Sequence, residues 1–256
     1  TNFTFSWNKN EIVELVHNYV HPETGELITK ERLEIKGLGK AKYILKPGGT
    51  LGDLYTNSDL VYNDDGYIEV DKNGNVAVKD DYMDDIYLGS VFPKYNLAWR
   101  NDFNYKGINL GVLFTARIGG ICYSATQANM DLYGVSEASA AARDAGGVMI
   151  NGRDMIDAQK WYQVIGSQSG LPQYYTYSAT NVRLQELSLG YTLPSKWFRD
   201  KMRMTVSFVG RNLWMIYCKA PFDPEAVAST GMNYQGIDYF MMPSMRNLGF
   251  NVKFQF

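Results

Sequence analysis

The sequence lacks an apolar run approaching the roughly 18 residues a spanning helix needs, and it carries no signal peptide. No helix of this sequence is therefore expected to span a membrane, whereas a barrel, whose strands alternate and read weakly in hydropathy, stays open. Cysteine is nearly absent: Cys122 and Cys218 are too few for a disulfide framework and are expected to be two free thiols. Histidine is as scarce, and His17 and His21 have no serine or cysteine partner that the pattern places beside them, so a hydrolytic site or histidine-bound metal finds no support. A net charge of -2 argues against a general polyanion binder, and no nucleic-acid partner is expected. With 45% hydrophobic residues, disorder is excluded as well.

What the sequence has is alternation. In residues 246–256, Leu248, Phe250, Val252, Phe254 and Phe256 share one parity, and Asn247, Gly249, Asn251, Lys253 and Gln255 the other. Successive strand side chains point to opposite faces, so this pattern predicts a strand with one apolar and one polar face. Residues 1–8 repeat the pattern with Phe3, Phe5 and Trp7. Thr1 stands already inside it, so a piece of a longer chain is expected. Residues 95–118 predict a hairpin turning at Lys106-Gly107, which pairs Tyr105 with Ile108, Trp99 with Phe114 and Asn96 with Arg117. Each arm is about ten residues, enough to cross a bilayer when tilted. Further strands are expected at 41–45, within 50–62, at 187–193 and over 203–217; residues 20–38 read as a polar loop.

Long connections separate these strands. Residues 119–180 predict one helix from Ser136 to Arg143, ended by Gly146-Gly147, and a second from Asp154 towards Gly166. Residues 63–85 are acidic, and Asp71-Lys-Asn-Gly-Asn75 has the opening spacing of a calcium loop. Its glycine is misplaced and Tyr82 stands where the twelfth-position Glu belongs. A solvated hairpin is the preferred reading, with Asp71, Asn73 and Asn75 as the alternative ion ligands.

The motifs Leu187-Ser-Leu-Gly-Tyr-Thr-Leu-Pro194, Val209-Gly-Arg-Asn-Leu213, Asp223-Pro-Glu225 and Pro243-Ser-Met-Arg246 carry a resemblance, as do the strand from Gly249 to Phe256, Gly89 to Pro93 and Arg117-Ile-Gly-Gly120. The chain resembles the C-terminal part of SusC/RagA-type TonB-dependent transporters. The resemblance implies an all-β fold: an antiparallel transmembrane β-barrel segment, the C-terminal part of a plugged barrel of about 22 strands, with long extracellular loops. About nine of those strands are expected here, with the plug outside this chain. It implies no enzyme and no cofactor. It also implies a place in the Gram-negative outer membrane among its lipids, and energised import of a glycan or peptide oligomer. The implied partners are a SusD-like lipoprotein lid and TonB, reached through the N-terminal part. The alternatives are a passive outer-membrane channel, a β-barrel hydrolase and a soluble adhesive β-sandwich.

Candidate contact residues follow. Trp161, Tyr162, Tyr174 and Tyr175 have flat faces suited to cargo or lid, although loop packing explains them too. Arg117 belongs to a set with Arg100, Arg183, Arg211 and Glu186 on the polar parity, read mainly as structural pairing. Asp223-Pro-Glu225 is read as a loop anchor. Phe254 and Phe256 are the assembly signal that the resemblance implies.

Overall fold

The computed structural model describes residues 1–80, 85–231 and 234–256. The acidic residues Asp81 and Asp84 and the expected non-ligand Tyr82 lie outside the described residues. Alternation builds one six-stranded antiparallel sheet, the wall: β1 (Asn2–Trp7), β2 (Tyr95–Tyr105), β3 (Ile108–Ile118), β4 (Asn181–Thr192), β5 (Arg203–Cys218) and β6 (Asn247–Gln255), in that spatial order. The β2–β3 register is the one the sequence predicts, with Tyr105 opposite Ile108, Trp99 opposite Phe114 and Asn96 opposite Arg117. Lys106 and Gly107 both take positive φ, 48° and 87°. That is the primed two-residue turn whose twist matches the strands.

The register extends across the sheet. Phe103, Leu110, Leu189, Phe208 and Phe250 form one row over β2 to β6. Phe3, Trp99, Phe114, Leu184 and Trp214 form another over β1 to β5. Trp99 stacks on Phe114 with ring centroids 5.8 Å apart. On the opposite face, Asn104, Asn109, Gly190, Ser207 and Asn251 lie in line. Bulges after Leu113 and beyond Leu184 shift the register, and the apolar row is kept by skipping a residue.

At one end of the wall the connections are short: residues 106–107 and 193–202. At the other they are long: 8–94, 119–180 and 219–246. These three pack together into a second body, the dome. Its core draws Tyr43, Leu54 and Leu60 from the first connection, Tyr123, Trp161 and Leu171 from the second, and Ile237 from the third. Backbone pairing locks them: Tyr123 lies beside Ile237 in a short parallel ladder, and the Asn151 side chain bonds both the N–H and the C=O of Ile68, at 2.9 and 3.0 Å.

The dome corrects the strand count. The strands at Lys42–Leu45 and Asp53–Thr56 join Leu33–Lys36 and Ile86–Ser90 in a separate four-stranded sheet, so the wall has six strands where nine were expected. At four or five residues, buried on both faces in Asp53–Thr56, they are too short to span a bilayer. The expected loop at 20–38 contains strands Leu27–Lys30 and Leu33–Lys36, the first paired with Val16–Val20. Three helices occupy the second connection: α1 (Ala125–Leu132), α2 (Glu137–Asp144) and α3 (Ala158–Ile165). Helix α2 is the predicted one, capped by Ser136. Helix α3 starts later than expected, because Asp154–Ile156 pairs with Val148–Ile150 and Asp157 becomes the cap. Helix α1 was not foreseen; its signal is Ser124-Ala-Thr-Gln127, a capping-box spacing in which the Ser124 hydroxyl accepts from the Gln127 N–H.

Candidate functional site

The polar face of the wall carries a chain of paired charges. Glu186 accepts from Arg211 at 3.0 Å and from Arg100 at 3.4 Å, and Arg100 also meets Asp102 at 2.9 Å. The expected pairing of these arginines is thus wall to wall, spanning β2 to β5.

Nearer the dome, Arg183 is buried on β4 and makes the tightest junction between the two bodies. It donates to the Asn181 amide oxygen at 3.0 Å, to the Ser244 hydroxyl at 3.0 Å and to the Asp223 carboxylate. Asp223 also accepts the Ser244 N–H at 3.2 Å and the Glu225 N–H at 3.1 Å. Burial works against the Asp223 carboxylate, but bonds from Arg183 and Ser244 outweigh it and hold the group at about 2. The strand side of the junction rests on Asn212, whose φ of 52° makes a bulge in β5 and turns its amide to the Ser244 carbonyl, 2.9 Å away. Asn tolerates that backbone better than most residues. Asp223-Pro-Glu225 is therefore an anchor fastening the third connection to the wall; sequence reasoning missed Ser244 and Asn212, which complete it.

Arg117 sits on β3 one row nearer the dome. The register sets Ser6, Asn96, Arg117 and Asn181 side by side across β1 to β4. Its Nε is buried and has no hydrogen-bond partner among the described residues. Below it lies a depression of about 400 Å³ lined by Thr4, Asn96, Ala98, Thr115, Gln185 and Glu225.

The aromatic candidates lie elsewhere. Trp161 and Tyr175 are buried in the dome core, and Trp161 meets Tyr174 edge to face at 6.0 Å. Tyr162 and Tyr174 are half-buried against the same core. The Tyr175 hydroxyl donates to buried Asp131 at 2.9 Å, and burial, followed by that carboxylate, pushes the phenol upward. These rings are packed against protein, in line with the loop-packing reading and not with open faces for cargo. Asp71 caps its own turn: one carboxylate oxygen takes the N–H groups of Asn73 and Asn75 at 2.8 Å, and the other takes the Asn75 amide at 2.8 Å. The Asp71 carboxylate thus closes the hairpin turn through its own backbone and the Asn75 amide. His21 likewise caps a turn through Nδ1, accepting from Glu23 and Thr24. Phe254 stands opposite Met204 on the apolar face, and Phe256 is exposed just past the last paired residue. Cys122 is buried in the dome and Cys218 half-buried at the end of β5, both free.

A sheet with one apolar and one polar face, short turns at one end and a packed loop body at the other, is a segment of antiparallel transmembrane barrel wall. The polar face is then the lumen face. No protein-family profile matches the chain. It is similar along 99% of its length, at 24% identity, to the TonB-dependent receptor P3 of Formosa agariphila, of which it covers 26%. In fold it matches the structure of the RagAB peptide transporter, with a TM-score of 0.56 and 17% identity over 98% of the chain. The structure of the RagAB peptide importer in its open-open state matches at 0.53 and 16%. The resemblance to SusC/RagA-type TonB-dependent transporters thus stands in both sequence and fold. The chain spans about a quarter of the length of these relatives.

Proposed function

We propose that the chain is the C-terminal wall and dome of an energised outer-membrane importer of oligomeric nutrients, glycan or peptide. The observation that carries this reading is the asymmetry of the wall: every long connection lies at one end and folds into a packed dome above a lumen face lined with amides, hydroxyls and paired charges. In this proposal the dome stands outside the cell. There its exposed Tyr133, Val135, Met149 and Met155 meet a SusD-like lipoprotein. TonB is engaged by a part of the protein outside this chain. β6 is an edge strand with an apolar row, and Phe254 and Phe256 are proposed to serve its recognition during barrel assembly. Uptake of labelled oligomers by cells expressing the full-length protein tests the reading. Uptake should collapse when the proton gradient or the TonB system is removed; uptake indifferent to both identifies a passive channel instead.

A further inference from the structure

We infer that Arg117, with the flanking amides of Asn96 and Gln185, forms a subsite on the lumen wall that takes a carboxylate of the cargo. The inference rests on the import reading and deepens it. A buried hydrogen-bond donor without a partner weakens a fold, and does so more when it is charged. Arg183, Arg100 and Arg211 all have carboxylate partners on this same face. Arg117 has no ion pair among the described residues, and its orphan atom is Nε. Nε forms one half of the side-on edge with which a guanidinium grips a carboxylate through two parallel bonds.

The surroundings are shaped for such a group. Ala98 and Thr115, opposite one another in the next row, are small and leave the depression below Arg117 open. Its volume of about 400 Å³ lies within the range of small-ligand sites. Glu225 lines it too, but that carboxylate is held by the Asn181 amide at 3.3 Å and lies 3.6 Å from Arg183, so it is not the counter-ion of Arg117. Its charge disfavours a phosphate dianion and leaves a singly charged carboxylate as the better guest. Such a group reaches a nutrient importer either as the uronate of an acidic glycan or as the carboxylate of a peptide.

The test uses the full-length transporter purified in detergent and two matched probe pairs: an oligogalacturonate with its methyl ester, and an alanine pentapeptide with its C-terminal amide. Calorimetry should show the acid member of one pair binding about ten-fold tighter than its neutral counterpart. The pair that shows it names the source of the carboxylate. Arg117→Gln should erase that preference, bringing the acid and neutral members of the pair to equal affinity, and Arg117→Lys should restore part of it. Should Arg117→Gln fail to assemble, Asn96→Asp asks the same question by setting a negative charge beside Arg117, and should also erase the preference. A wild type with no preference in either pair overturns the subsite, as does a preference that survives Arg117→Gln. Energised uptake is read separately, so the importer reading can stand while the subsite falls.

Discussion

The dome and the wall are made from the same residue types put to opposite uses. In the dome, Leu54 is 0% exposed and Tyr123 1%; on the wall, Phe250 is 70% exposed and Phe103 60%. The wall is one antiparallel sheet, and the dome joins short strands to three α-helices and long turns. The difference is what covers the apolar face: the four-residue dome strands Lys42–Leu45 and Asp53–Thr56 are covered by other parts of the chain, whereas wall strands of six to sixteen residues turn a continuous apolar row outward. Such a row is far larger than the scattered apolar residues of a water-facing surface and suits a lipid surround. Exposure of a large side chain is thus a sign of environment, and strand length tells which environment applies.

The comparison is tested hardest in the dome core. Replacing Trp161 with Ala removes the α3 ring that packs edge to face on Tyr174 in the dome core, and should destabilise the dome by about 3–5 kcal/mol. Limited proteolysis should then cut within 119–180 while the heat-modifiable gel mobility of the barrel persists. If both are lost together, dome and wall are one cooperative unit and the contrast drawn here is wrong.

The wall's apolar face gives the next largest effect. Trp99 stands near the middle of β2, and Trp99→Arg should cost about 2–4 kcal/mol if lipid covers that face. A free energy of refolding into vesicles that is unchanged by the substitution would place the row in water.

The junction between the two regions responds to acid. The folded carboxyl of Asp223 lies at about 2, below the unfolded value of about 3.9, so the stability it contributes is complete above pH 4 or so. It is lost as pH falls through about 2, and amounts to about 2 kcal/mol. Proteolytic clipping of 219–246 should rise over that window, and Asp223→Asn should flatten the acid step. A step of equal size in the variant would assign it to other carboxylates.

How much of this was legible depends on the range of the interactions. The β2–β3 register was readable because a two-residue turn and two alternating faces fix every pair from local sequence alone. Helix α2 was readable from its Ser136 cap and closing glycines. The dome was not, because its short strands carry little periodicity and its core joins residues as far apart as Tyr43 and Ile237. For the same reason the sequence left Trp161 and Tyr175 between loop packing and partner contact: nothing nearby in sequence shows what buries them. The anchor was half legible. Arg183 and Asp223 stand out as charges, while Asn212 matters through a backbone φ that sequence does not print.

The smallest effect belongs one residue along from Trp99. Arg100 points to the other face, where its side chain is 41% exposed and shares Glu186 with Arg211. A half-exposed ion pair contributes at most about 1 kcal/mol, and Arg211 remains to satisfy Glu186 when Arg100 is removed. Arg100→Leu should therefore shift barrel stability by less than about 1 kcal/mol, although it adds an apolar side chain and deletes a charge. Side-chain chemistry alone does not rank the two substitutions, since each exchanges an apolar group and a charged one. Only a wall with lipid on one side and water on the other makes Trp99→Arg damaging and Arg100→Leu mild. Equal losses at the two positions, measured by refolding into vesicles, would mean that both faces meet the same medium, and the sheet would then be a sandwich and not a barrel wall.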